Sequence, residues 1–70
     1  MVRVGIVGCG PIATSHHSPG FLAIPGVEIV AVCDVDEAKA NALGERLSAE
    51  VFTDVDEMLG NVDLDIIDVA

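Results

Sequence analysis

The sequence predicts an α/β chain carrying the first four strands of a partial doubly wound parallel sheet, with residues 1–70 forming one domain. Three observations predict it. Short apolar, β-branched runs recur along the chain and alternate with stretches of helical patterning. No hairpin signal joins any two of these runs, so successive strands are expected to be parallel, with right-handed crossovers. The first run ends abruptly in a glycine turn that a proline leads into a helix.

Val2–Val7 is the first strand, and Gly8-Cys9-Gly10-Pro11 is the turn that ends it. Pro11 has a fixed φ and no N–H, which suits the first position of a helix that Ile12 and Ala13 continue. Pro19-Gly20 is expected to kink or interrupt that helix before the apolar patch of Phe21, Leu22 and Ile24, and Pro25-Gly26 makes the next turn. Val27–Cys33 is the second strand, its nearly unbroken apolar run fitting a strand covered on both faces. Asp36 is the expected N-cap of a second helix whose Ala40, Leu43 and Leu47 form a core-facing stripe. Residues 51–52 make a short third strand. Thr53, with Asp56 three residues on, is the expected cap of a third helix that buries Val55, Met58 and Leu59 and stops at Gly60. Residues 64–69 are the fourth strand.

The charge balance narrows the function. Twelve acidic side chains face three basic ones, Arg3, Lys39 and Arg46, for a net charge of -9. No basic stripe can collect phosphates, which argues against a nucleic-acid binder and a binder of anionic membranes. No apolar run approaches the roughly 18 residues of a membrane span, and the apolar start lacks the basic region of a signal peptide. A cytoplasmic protein is expected. Cys9 and Cys33 are the only cysteines and form no Cys-x-x-Cys pair; they are expected as small buried side chains, a reducing cytosol disfavouring a disulfide between them.

An anion bound by so acidic a chain must be held by backbone. Gly8-Cys9-Gly10-Pro11-Ile12-Ala13 fits G-x-G-x-x-A, the alanine variant of the dinucleotide fingerprint. It follows a predicted strand and opens a predicted helix, and an acidic residue, Asp34, ends the next strand 21 positions after Ala13. In that reading Gly8 allows the tight turn, Gly10 lets the backbone approach a pyrophosphate, and Ala13 lets helix and sheet pack closely. The helix start supplies free N–H groups and partial positive charge. Pro11 stands at the helix start but cannot donate, so the main hydrogen bond from the helix end is assigned to the N–H of Ile12. Asp34 can accept from both ribose hydroxyls and would repel a 2′-phosphate. NAD is therefore favoured over NADP, the more so because Val35, not an arginine, follows the acid.

Other residues carry less. His16 and His17 are adjacent and point about 100° apart on a helix, so they do not make a metal pair, and no metal site is assigned. Ser15 beside His16 lacks an orienting third group. Asp54, Asp56, Glu57, Asp63 and Asp65 are read as a solvated acidic face with helix-start charge among them. Asp68, within an apolar strand, should be paired or at a strand end. No catalytic residue is assigned.

From Val4 to Val69 the chain resembles the amino-terminal nucleotide-binding domain of the Gfo/Idh/MocA family, relatives of glucose-fructose oxidoreductase and inositol dehydrogenase. The resemblance rests on Val4 through Ala13, on Pro25-Gly26-Val27-Glu28 leading to Val30 through Asp34, and on Asp65 through Ala70. It implies a Rossmann-type domain that binds NAD or NADP, and a parent oxidoreductase acting on hydroxyl and carbonyl groups of sugars, inositols and related small molecules. It also implies a second domain that shapes the substrate site and often the oligomer interface. The family's catalytic lysine, in a Glu-Lys-Pro motif, falls beyond the matched strand, and Lys39 in the second helix is no substitute. The 70 residues are accordingly expected to be the amino-terminal part of a dinucleotide-binding domain, truncated or excerpted, with the substrate domain absent and an oligomer left open. A non-catalytic NAD-binding sensor is the alternative. A methyltransferase-type adenosyl site is disfavoured by Val7, where such sites want an acid.

Overall fold

A computed structural model describes residues 1–70 as four parallel strands and three helices. The strands are β1 (Val2–Val7), β2 (Val27–Cys33), β3 (Glu50–Phe52) and β4 (Ile66–Val69), arranged in the order β3-β2-β1-β4. Helix α1 covers residues 11–22, α2 is Glu37–Leu47 and α3 is Val55–Asn61. The predicted parallel α/β sheet is therefore present, and the first strand in sequence lies inside it, between β2 and β4.

Two apolar layers hold the sheet. Val4, Ile6, Ile29 and Val32 pack with Cys9, Ala13, Ala40 and Leu43 on the face covered by α1 and α2. Ala31, Cys33 and Met58 form the opposite layer under α3. Simple alternation along β2 would put Ile29, Ala31 and Cys33 on one face. A bulge in the β1–β2 ladder, where Val4 opposes Ile29 but Gly5 opposes Ala31, inserts Val30 and inverts the phase, so one strand feeds both layers. Its nearly continuous apolar run is needed for that reason. Only 14 of 70 residues are buried, and β4, an edge strand, leaves Ile66, Ile67 and Val69 exposed.

Three local expectations are corrected. Pro19-Gly20 does not interrupt α1. The helix instead widens to a π-turn over Ala13–His17, with Ser18 N–H donating to Ala13 O, and resumes α geometry over Ser18–Leu22 with Pro19 in its first turn. A proline is tolerated there because the first turn of an α segment needs no donor at that position. The cap of α3 is Asp54, not Thr53: its Oδ1 accepts from Glu57 N–H at 3.1 Å. Asp54 and Glu57 form the aspartate–glutamate pair of the helix start, one residue on from the weaker Thr53–Asp56 register. The helix also runs past Gly60 to Asn61, whose Nδ2 donates back to Glu57 O at 2.7 Å. In α2 the expected cap holds, with Asp36 Oδ1 accepting from Ala38 and Lys39 N–H groups.

Candidate nucleotide-binding site

The candidate residues converge at the carboxyl edge of the sheet. Gly8 follows β1 with φ of +94°, and a Cβ there would stand 2.9 Å from Ala70 O, so both backbone conformation and the neighbouring chain demand glycine. Its N–H donates to Cys33 O at 2.7 Å, tying the turn to the end of β2. Gly10 is different. Its φ is not positive and a Cβ there would meet no atom within 4 Å, so neither packing nor conformation within the fold requires glycine. Thr14 N–H donates to Gly10 O at 3.1 Å and opens α1 at Pro11. The N–H groups of Gly10 and Ile12 bond to no backbone acceptor and are left at the free helix start.

Asp34 stands at the end of β2, its N–H bonded to Phe52 O at 3.1 Å. Its side chain reaches the glycine turn: Oδ2 accepts from Cys9 N–H at 2.8 Å, and Oδ1 accepts from Asp36 N–H at 2.9 Å. These two backbone donors, helped by the Lys39 charge and opposed by partial burial, hold the carboxyl below its usual range. It is ionised at neutral pH, and each oxygen keeps a lone pair for a further donor. Asp34 thus supports the start of α2 through Asp36 and braces the glycine turn at the same time.

A cleft of about 430 Å³ opens beside this pair, with Gly8, Asp34 and Val35 on one side and Thr53, Val55 and Asp56 among the residues lining the other. Gly10, Pro11 and Ile12 lie outside that lining, at the start of α1. The β3–α3 wall is not among the site residues expected from the sequence, where Thr53 reads as a cap and the acids as solvated surface. Its signal was available in the strand order, since ligands of doubly wound sheets sit beyond the carboxyl ends of the strands.

The remaining candidates fall elsewhere. Asp68 is paired as expected, with its Oδ2 2.5 Å from His17 Nδ1 across α1 and β4. His16 and Ser15 are exposed. Asp65 is not merely solvated: its Oδ2 accepts from Arg3 N–H at 2.8 Å, while its own N–H donates to Arg3 O at 2.8 Å. Cys9 and Cys33 are buried free thiols; burial, then the Asp34 charge, push Cys9 up to about 11, and its Sγ–H donates to Cys33 O at 3.4 Å.

Residues 2–70 match the family model described as an oxidoreductase family with an NAD-binding Rossmann fold. The chain belongs to the Gfo/Idh/MocA family. Among curated Gfo/Idh/MocA relatives, an inositol 2-dehydrogenase of Acidothermus cellulolyticus is 36% identical over 70 residues, covering 99% of this chain. The chain spans 20% of that relative's length. Two solved structures are similar in fold as well as sequence. The WlbA dehydrogenase of Chromobacterium violaceum, in complex with NADH and UDP-GlcNAcA, is 33% identical with a TM-score of 0.84, covering 99% of this chain and 20% of that one. A 3-ketoreductase from Actinomadura kijaniata, in complex with NADP and TDP-benzene, is 29% identical with a TM-score of 0.83, covering 94% of this chain and 20% of that one. The matched residues carry the family's NAD-binding Rossmann fold.

Proposed function

We propose that this domain is the cofactor-binding part of an oxidoreductase that transfers hydride between a nicotinamide dinucleotide and a hydroxyl or carbonyl group of a sugar, an inositol or a related small molecule. The observation that carries the reading is the bond from Cys9 N–H to Asp34 Oδ2, which sets an ionised acid against the fingerprint turn at the same end of the sheet. Gly8 shapes the turn, and the bare Cα of Gly10 admits the pyrophosphate. Pro11 holds the helix start in place, and the N–H of Ile12 donates to a phosphate oxygen. The free lone pairs of Asp34 accept from the ribose hydroxyls, and its charge disfavours a 2′-phosphate, so NAD is preferred to NADP. When bound, the nicotinamide ring supplies the hydride acceptor or donor; the residues of this chain bind and orient the adenosine half.

In this reading the substrate domain and the catalytic groups belong to the part of such relatives that these 70 residues do not match. Ser15, His16, His17 and Lys39 have no catalytic role. No helix is long and apolar enough to cross a membrane, and the two free thiols support a reducing compartment, the cytoplasm. Calorimetric titration with NAD and with NADP tests the proposal. NAD should bind more tightly, and Asp34→Ser should weaken NAD while narrowing the gap between the two. Binding of neither nucleotide would overturn the reading, and an unchanged ratio in the variant would remove Asp34 from it.

A further inference from the structure

The fingerprint and Asp34 account for one side of the cleft only. The other side comes from the β3–α3 connection and the first turn of α3. Val35 on the near side is 93% exposed and Val55 on the far side is 37% exposed, so apolar surface is presented from both sides of an opening in a strongly acidic molecule. Such surface suits the faces of a flat ring. The polar lining of the cleft is dominated by carboxylates, three of them beside the single hydroxyl of Thr53. Asp34, Asp54 and Asp56 contribute carboxylates, and no lysine, arginine, histidine, asparagine or glutamine lines the cleft. Carboxylates only accept hydrogen bonds. Two of the three are engaged already, Asp34 by Cys9 and Asp36 and Asp54 by Glu57. Asp56 alone among them is exposed and bonds no protein group.

We infer that Asp56 reads the nucleobase: its carboxylate accepts a hydrogen bond from an exocyclic amine on a purine lying between Val35 and Val55, so the cleft selects a base that carries that amine. The inference rests on the cofactor reading, because it takes the ribose to be held at Asp34. A base without the amine leaves Asp56 unpaired across the cleft, and the lost bond to a charged acceptor weakens binding. The competing explanation is that Asp56 merely complements the start of α3. Glu57 shares that position in the first turn and its charge, yet does not line the cleft. The two acids therefore separate the explanations.

The test titrates the 70-residue chain with NAD and with the dinucleotide in which purine replaces adenine, a change that removes only the 6-amino group. The chain should bind NAD about three- to tenfold more tightly, the range expected for one partly solvated hydrogen bond to a charged group. Asp56→Ala should bring the two dinucleotides within about twofold of each other, and Glu57→Gln should leave the original preference intact, with circular dichroism confirming the fold of both variants. Equal binding of the two dinucleotides by the unmodified chain sinks the inference while leaving the cofactor reading standing. A preference that survives Asp56→Ala, or that Glu57→Gln also abolishes, sinks it too. Failure to bind NAD at all overturns the cofactor reading and this inference together.

Discussion

Gly8 and Gly10 are the same residue in the sequence pattern but serve different purposes in the structure. Gly8 is required by the fold, through its positive φ and the Ala70 carbonyl beside it, whereas Gly10 faces open space. Gly8→Ala should therefore lower unfolding free energy by about 1–2 kcal/mol, the cost of an L residue in left-handed backbone, with the close contact adding to it. Gly10→Ala should leave the thermal midpoint nearly unchanged and weaken dinucleotide binding. Thermal unfolding and titration of both variants check the division, and a Gly10→Ala variant that melts early but binds normally would contradict it. The identity of these residues, and of Asp34, was legible because the motif is local and its spacing follows from strand and helix lengths. Which glycine serves the fold was not legible, since the Ala70 carbonyl comes from the far end of the chain.

Elements were legible to the extent that their signals were local. All four strands and all three helices appear, and Ala40 and Leu43 face the core as their spacing implied. The α3 cap was misread by one residue because Thr53 and Asp54 are both acceptable caps, and only the backbone decides which one turns the chain. Pairs such as His17 with Asp68 and Arg3 with Asp65 join residues 51 and 62 positions apart, and depend on a register that no single segment encodes. Helix α2 hides two further features. At Gly44 a Cβ would stand 2.3 Å from Val51 Cγ2 and 3.1 Å from Ala49 O, so α2 lies hard against β3 there. Ser48 closes the helix in the left-handed region with φ of 55°, a position that favours glycine. Gly44→Ala should destabilise by about 1–3 kcal/mol despite the roughly 1 kcal/mol of helix propensity it gains. Ser48→Gly should stabilise by up to about 1 kcal/mol. Urea unfolding reads both, and stabilisation by Gly44→Ala would show that the contact with β3 is looser than described.

For the molecule as a whole, two groups at the glycine turn bracket the pH range of greatest stability. Asp34 is held below the ordinary aspartate range, so its contribution is fully present above that range and is lost as pH falls through the depressed value. Cys9 works at the other limit. Its thiol is raised from 9.0 to about 11, so between these values the unfolded chain releases a proton that the native chain keeps, and stability falls as pH rises. A denaturation series across pH should show both limbs, with Cys9→Ala flattening the alkaline one and Asp34→Asn the acid one. An alkaline limb that persists unchanged without Cys9 would place its origin elsewhere.

The position of β1 between β2 and β4 bears on how the chain is made. Strand β1 is synthesised before both of its neighbours, and the later of the two follows some 60 residues on, since Val4 opposes Ile66. Closing that long loop is an entropically slow step. Until it happens, one side of β1 is a bare ladder of amides and carbonyls that the nascent chain must shield during synthesis, and loss of β1 would part β4 from the other two strands.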